Sequence, residues 1–116
     1  MSIERLHVGE RMSQVVIHGD TVYLAGQVAQ NAAGGSVAEQ TKDILASIDS
    51  LLAEAGSDKT KILRTTIWLS DISTFDEMNA VWDAWVPQGH TSARACVESK
   101  LAAPQFTVEI GIIAAR

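Results

Sequence analysis

The hydrophobic and polar positions along this chain fall into segments with distinct periods. Residues 14–18 and 21–29 read as two strands, split by Gly19-Asp20, a pair suited to a tight hairpin turn. The stretch 31–35 carries no pattern and reads as a loop. Ser36 and Glu39 then stand in the spacing of a capping box, a signal for a helix start. Val37, Thr41, Ile44, Ile48, Leu51, Leu52 and Ala55 follow at helical spacing, forming one apolar stripe. Gly56 stands where a helix end favours a left-handed residue.

Residues 62–70 read as a strand because they are rich in β-branched and aromatic side chains. Thr74 with Glu77 is a second capping-box pattern. Phe75, Met78, Trp82 and Trp85 follow it at helical spacing, so a shorter helix is predicted to about Val86, with Pro87 just beyond its end. Residues 91–98 and 106–114 are two further strands, separated by Leu101-Ala102-Ala103-Pro104. Strands mixed with two helices predict an α+β layer, with both helices on one face of a mostly antiparallel sheet.

The 116 residues fit a single domain, 1–116, with no repeat or linker. The 47% apolar content is that of a folded chain rather than a disordered one. A net charge of −5 disfavours sequence-independent nucleic-acid binding and a basic membrane-surface helix. One cysteine cannot form an internal disulfide or a cysteine-based zinc site. His7, His18 and His90 show no metal-ligand spacing, so no metal is expected. The first residues lack the apolar run of a secretory signal, and no stretch is long enough to span a bilayer. The expectation is a cytoplasmic protein. So small a body has little room for a deep private pocket, which points to a cleft shared between subunits.

Alternation along the strands sorts the candidate chemistry. Thr65, Ile67 and Leu69 share one face, and Arg64, Thr66 and Trp68 the other. Arg94, Cys96 and Glu98 share a face, with Ala93, Ala95 and Val97 opposite, small enough to pack under a helix. Phe106, Val108, Ile110 and Ile112 form an apolar face, with Thr107, Glu109, Gly111 and Ile113 behind it. Arg94, Cys96 and Glu109 thus interrupt strands that otherwise read as core, and a charge there must be paired or wet. A structural ion pair or a solvated sheet face is one reading. The other is a site, with Arg94 as a bidentate carboxylate clamp and Glu109 as an acid or base that positions water. Cys96 alone reads as a buried small apolar residue. Trp82 and Trp85 read as core or subunit interface. Asn79 lies one helical turn beyond Phe75 and can face the same way.

Three segments carry a family resemblance: Tyr23-Leu-Ala-Gly-Gln-Val28, Met78-Asn-Ala80, and Ala93-Arg-Ala-Cys-Val-Glu98 followed by Val108-Glu-Ile110. In these the chain resembles the Rid, or YjgF, family of imine and enamine deaminases over nearly its whole length. The resemblance implies a chorismate-mutase-like fold of the bacillus type, assembled as a homotrimer with a barrel-like centre and three clefts between subunits. It implies hydrolysis of reactive 2-imino or enamino acids to 2-oxo acids and ammonia, which protects pyridoxal-phosphate enzymes, and no cofactor. Carried over by resemblance, Arg94 binds the substrate carboxylate, and Glu109 helps position the attacking water. Cys96 lines the cleft without acting as a nucleophile. Asn79 lies near the site, and Gly26 is on the facing wall.

Two positions depart from the more typical enzymes of the family. Ala25 stands where they have a serine, and Met12, beside Arg11, stands nearest their tyrosine. These departures leave room for a regulatory module that binds small carboxylates in the same cleft without turnover. A protein-interaction or chaperone-like role is a third class, as is the ribonuclease activity sometimes attributed to the family. The net charge argues against a nucleic-acid partner.

Overall fold

The computed structural model describes residues 1–116. Its strands are β1 (Ile3–Val8), β2 (Ser13–His18), β3 (Thr21–Leu24), β4 (Gln27–Val28), β5 (Ile62–Leu69), β6 (Ala93–Glu98) and β7 (Val108–Ala115). The helices are α1 (Val37–Glu54) and α2 (Phe75–Trp85). All seven strands join one sheet in the order β1-β2-β3-β7-β5-β6, with β4 also on β7. Every pairing is antiparallel except β5 with β6, whose connection runs through α2. Both helices cover the same sheet face, and the core lies between them and that face. No helix is long and apolar enough to cross a membrane.

The capping box of α1 is present in full. The Ser36 hydroxyl accepts from the Glu39 amide at 3.1 Å, and the Glu39 carboxylate accepts from the Ser36 amide at 3.3 Å. The predicted stripe is buried from Val37 to Ala55, with Leu51 half-buried, and Gly56 follows at φ +78°. Gln40, absent from that stripe, is fully buried. Its amide nitrogen donates to the carbonyls of Gly35 and Gln105, and its oxygen accepts from the Thr107 amide. This one side chain therefore ties the segments entering α1 and β7 together.

Four features differ from the sequence reading. The strand predicted over 21–29 is interrupted at Ala25-Gly26. Tyr23 pairs with Ile113 and Gln27 with Ile110, so the β3–β4 side spends one residue more than β7 and must bulge. Thr74 does not cap α2. A short 3₁₀ turn over Ile72–Thr74 leads straight into the helix, so Thr74 lacks the extended backbone of a cap, and its hydroxyl donates back to the Asp71 carbonyl. Glu77 instead accepts from the Ala38 amide at 2.9 Å, in the first turn of α1. Ala93, Ala95 and Val97 do not lie under a helix. Parallel pairing aligns Arg94, Cys96 and Glu98 with the core-facing Thr65, Ile67 and Leu69, so the alanine face is the uncovered one. Finally, β1 has no counterpart in the sequence reading.

Candidate functional site

Arg94 lies on β6 at the edge of the sheet, on the side covered by helices. Its guanidinium crosses one stripe of α2, formed by Phe75, Asn79 and Trp82. Nη1 donates to the Asn79 side-chain oxygen at 2.8 Å. The cation lies 5.8 Å from the centre of the Phe75 ring and 5.5 Å from that of Trp82. The one close contact between a basic side chain and a carboxylate joins His7 to Glu54, so no carboxylate neutralises Arg94. A half-buried guanidinium bonded to one neutral amide keeps its full charge and leaves other N–H donors unused. Such a group can pair with an anion, and its planar fork matches that of a carboxylate.

Cys96 follows on the same face and packs against the core. Burial pushes its thiol pKa up, against a smaller downward pull from Arg94, so at neutral pH it is a protonated thiol rather than a nucleophile. Glu98, next along the stripe, accepts from the Ile72 amide at 3.0 Å and anchors the turn before α2.

Glu109 lies on the other face of the sheet. Register fixes this: Arg94 aligns with Thr65 and Thr65 with Ile112, whereas Glu109 aligns with Trp68 and Val28. A carbon placed at the Cβ position of Gly26 would stand 2.2 Å from Glu109 Oε2, so the carboxylate occupies the space a side chain there would fill. Burial alone raises the Glu109 pKa above the ordinary carboxylate value.

The bulge at Ala25-Gly26 is held from both sides. The Ala25 amide donates to the Gln14 carbonyl at 2.9 Å, and its carbonyl accepts from the buried Gln27 side chain at 3.0 Å. Gln27 also donates to the Gln14 side chain at 2.8 Å. Gln27 stands within the Tyr23–Val28 segment, but neither glutamine was singled out for a role; a glutamine aligned with core-facing Ile110 was the available signal at Gln27. Met12 is exposed in the β1–β2 connection, and with Gly26 it lines a cavity of about 440 Å³.

The predicted residues therefore form two groups. Arg94, Cys96 and Asn79 gather at the β6–α2 edge. Glu109 and Gly26 meet on the uncovered sheet face beside Ala25, whereas Met12 stands on the α1 side of the Gly26 bulge, in a cavity it shares with Ser47, Ser50 and Glu54. A single chain does not bring Arg94 and Glu109 onto one face.

Comparison with known proteins agrees with this fold. The family model for endoribonuclease L-PSP matches residues 2–116. A RutC family protein of Haemophilus influenzae is 44% identical over 114 residues, covering 98% of each chain. The 2-iminobutanoate/2-iminopropanoate deaminase of Rattus norvegicus is 32% identical over 107 residues, covering 88% of this chain and 77% of its own. A crystal structure of a YjgF family member from Neisseria meningitidis superposes with a TM-score of 0.96 at 46% identity, covering 100% of this chain and 96% of that one. The chain belongs to the endoribonuclease L-PSP family, known also as the YjgF or Rid family.

Proposed function

We propose that this protein hydrolyses reactive 2-imino acids to 2-oxo acids and ammonia, in clefts shared between the subunits of a homotrimer. The observation that carries the reading is the half-buried Arg94 guanidinium, which has no carboxylate partner. The deaminase name of the rat relative gives the reaction class. The opposite-face arrangement supports a shared cleft, because only a second copy can set a Glu109 group before an Arg94 group. Exposed Tyr23 and Val97 on the uncovered face support its burial in an assembly.

Arg94 grips the substrate carboxylate through two parallel hydrogen bonds and fixes the position of the imine carbon. A water held by Glu109 of the neighbouring copy attacks that carbon, and the carboxylate takes the water's proton. The carbon–oxygen bond forms as the carbon–nitrogen double bond opens to a carbinolamine. Glu109 returns the proton to nitrogen to complete the carbinolamine, then carries the hydroxyl proton to the same nitrogen; the carbon–oxygen double bond forms as the carbon–nitrogen bond breaks, and ammonia leaves with a 2-oxo acid behind it. The imine is already electrophilic, so the sequence uses no cofactor. By this reading the protein clears reactive imines that damage pyridoxal-phosphate enzymes, in the cytoplasm where those enzymes work.

A second reading is favoured by Ala25 and Met12, neither of which offers a polar side-chain group to a ligand. It is a module that binds small carboxylates without turnover. One experiment separates the two. An amino-acid oxidase generates imines with small, bulky and acidic side chains in the presence of the protein. Deamination predicts faster imine decay with matching ammonia release. Saturable 2-oxo acid binding with no acceleration would support the binding module instead.

A further inference from the structure

The outer face of the two helices carries a groove unrelated to Arg94 or Glu109. Lys42, Ala46 and Asp49 recur at helical spacing along α1, and Ala80, Ala84 and Trp85 face them from α2. The groove between them measures about 620 Å³, is open along its length, and has Leu45 and Val81 in its floor. The alanines keep its walls low. Trp85 closes one end, with its indole N–H donating to Asp49 at 2.9 Å and Lys59 standing 5.2 Å over its ring.

The charge around this groove runs against that of the chain. The net charge is −5, yet two of the four lysines stand on its rim. Neither makes an ion pair, and the one carboxylate in the lining, Asp49, is engaged by Trp85. Lys42 and the Asp49–Trp85–Lys59 end are separated by seven residues of α1, roughly 10 Å along the groove. Two cations at that spacing beside an apolar floor match an α-helix with acidic residues seven positions apart and small apolar residues between them.

We infer that this groove docks an amphipathic helix of a partner protein, with its apolar face on Ala46, Ala80 and Ala84 and its two acidic residues at Lys42 and Lys59. The inference does not depend on the deamination reading: neither Lys42 nor Lys59 touches Arg94 or Glu109, and the groove meets the Arg94 stripe where Trp85 packs on Trp82, their ring centres 5.3 Å apart.

The test uses the full-length chain and a fluorescein-labelled helical peptide with glutamates seven positions apart on a leucine–alanine face. Fluorescence anisotropy is expected to rise saturably. A Lys42→Glu/Lys59→Glu double variant, checked for fold by circular dichroism and for unchanged imine hydrolysis, is expected to bind about tenfold or more weakly. A peptide with lysines in place of the glutamates is expected to regain binding to that variant. No saturable binding, or equal affinity of both proteins for both peptides, would overturn the inference. So would binding of decanoate by a protein that ignores the peptide, because the groove would then be a small-molecule site.

Discussion

Asn79 holds Arg94 by an amide oxygen rather than a carboxylate, through a 2.8 Å hydrogen bond across the gap between α2 and β6. The choice of amide matters. An amide orients the guanidinium and leaves its charge for a ligand, whereas a carboxylate would neutralise it. Asn79→Asp is therefore expected to raise KM for an imino acid by about tenfold or more while the protein stays folded. Asn79→Ala, which loses orientation but adds no competitor, should have the smaller effect. Steady-state kinetics on both variants check this order.

Gly26 and Glu109 make a second coupled pair. Gly26→Ala puts a methyl group where the Glu109 carboxylate lies. The far end of a flexible side chain can swing away, and the backbone at Gly26 is not left-handed, so thermal stability should change little. The displaced carboxylate should lower kcat more than it raises KM. A melting curve beside the kinetics separates the two effects.

Burial raises the Glu109 pKa, so the folded chain keeps this proton to higher pH than the unfolded chain does. The contribution to stability is present below the unfolded carboxylate pKa, about 4.3, and is lost as pH rises through the higher folded value. Glu109→Gln cannot titrate there. The melting temperature of this variant relative to wild type should rise between about pH 4 and neutrality. Wild-type kcat/KM should show an acidic limb above the ordinary carboxylate range, because Glu109 works ionised in the proposed reaction. Melting curves and pH–rate profiles measure both.

Much of the fold was legible in the sequence where local and tertiary signals coincide. The α1 helix carries a capping box, a long apolar stripe and a terminal glycine, and all three are used. The β1 strand was not legible because Ile3–Val8 is an edge strand with almost no buried side chain, so it lacks the alternation that burial imposes. Glu77 had the right spacing to cap its own helix, but a 3₁₀ turn spoiled that geometry and α1 offered another amide. Periodicity grouped Arg94 with Cys96 and Glu98, and Asn79 with Phe75, but it set the alanine face of β6 under a helix, where the structure has the Arg94 face. The opposite faces of Arg94 and Glu109 were not legible, because they depend on how β6 and β7 each register against β5.

The Glu77 contact has its own energetic consequence. Glu77→Ala leaves the Ala38 amide without its acceptor near the positive end of α1 and unties the helices there. The expected loss is about 1 kcal/mol, of the size of a lost helix cap. Urea denaturation of the variant beside wild type gives the value directly.

A cleft shared between copies makes a statistical prediction. In the proposed homotrimer, the Arg94→Ala and Glu109→Gln proteins should each be inactive. Unfolded together in equal amounts and refolded, they should form about one intact cleft in four and recover a corresponding fraction of activity. Recovery near zero would mean that both groups act from one chain.

The clamp itself is tested most directly by the rate of ammonia release from a freshly generated 2-imino acid, wild type against Arg94→Ala. With a circular dichroism spectrum matching wild type, the alanine variant should lose about 10²- to 10³-fold in kcat/KM. Arg94→Lys, which keeps the charge but not the fork, should fall between them. Undiminished ammonia release by a folded Arg94→Ala protein would contradict the account.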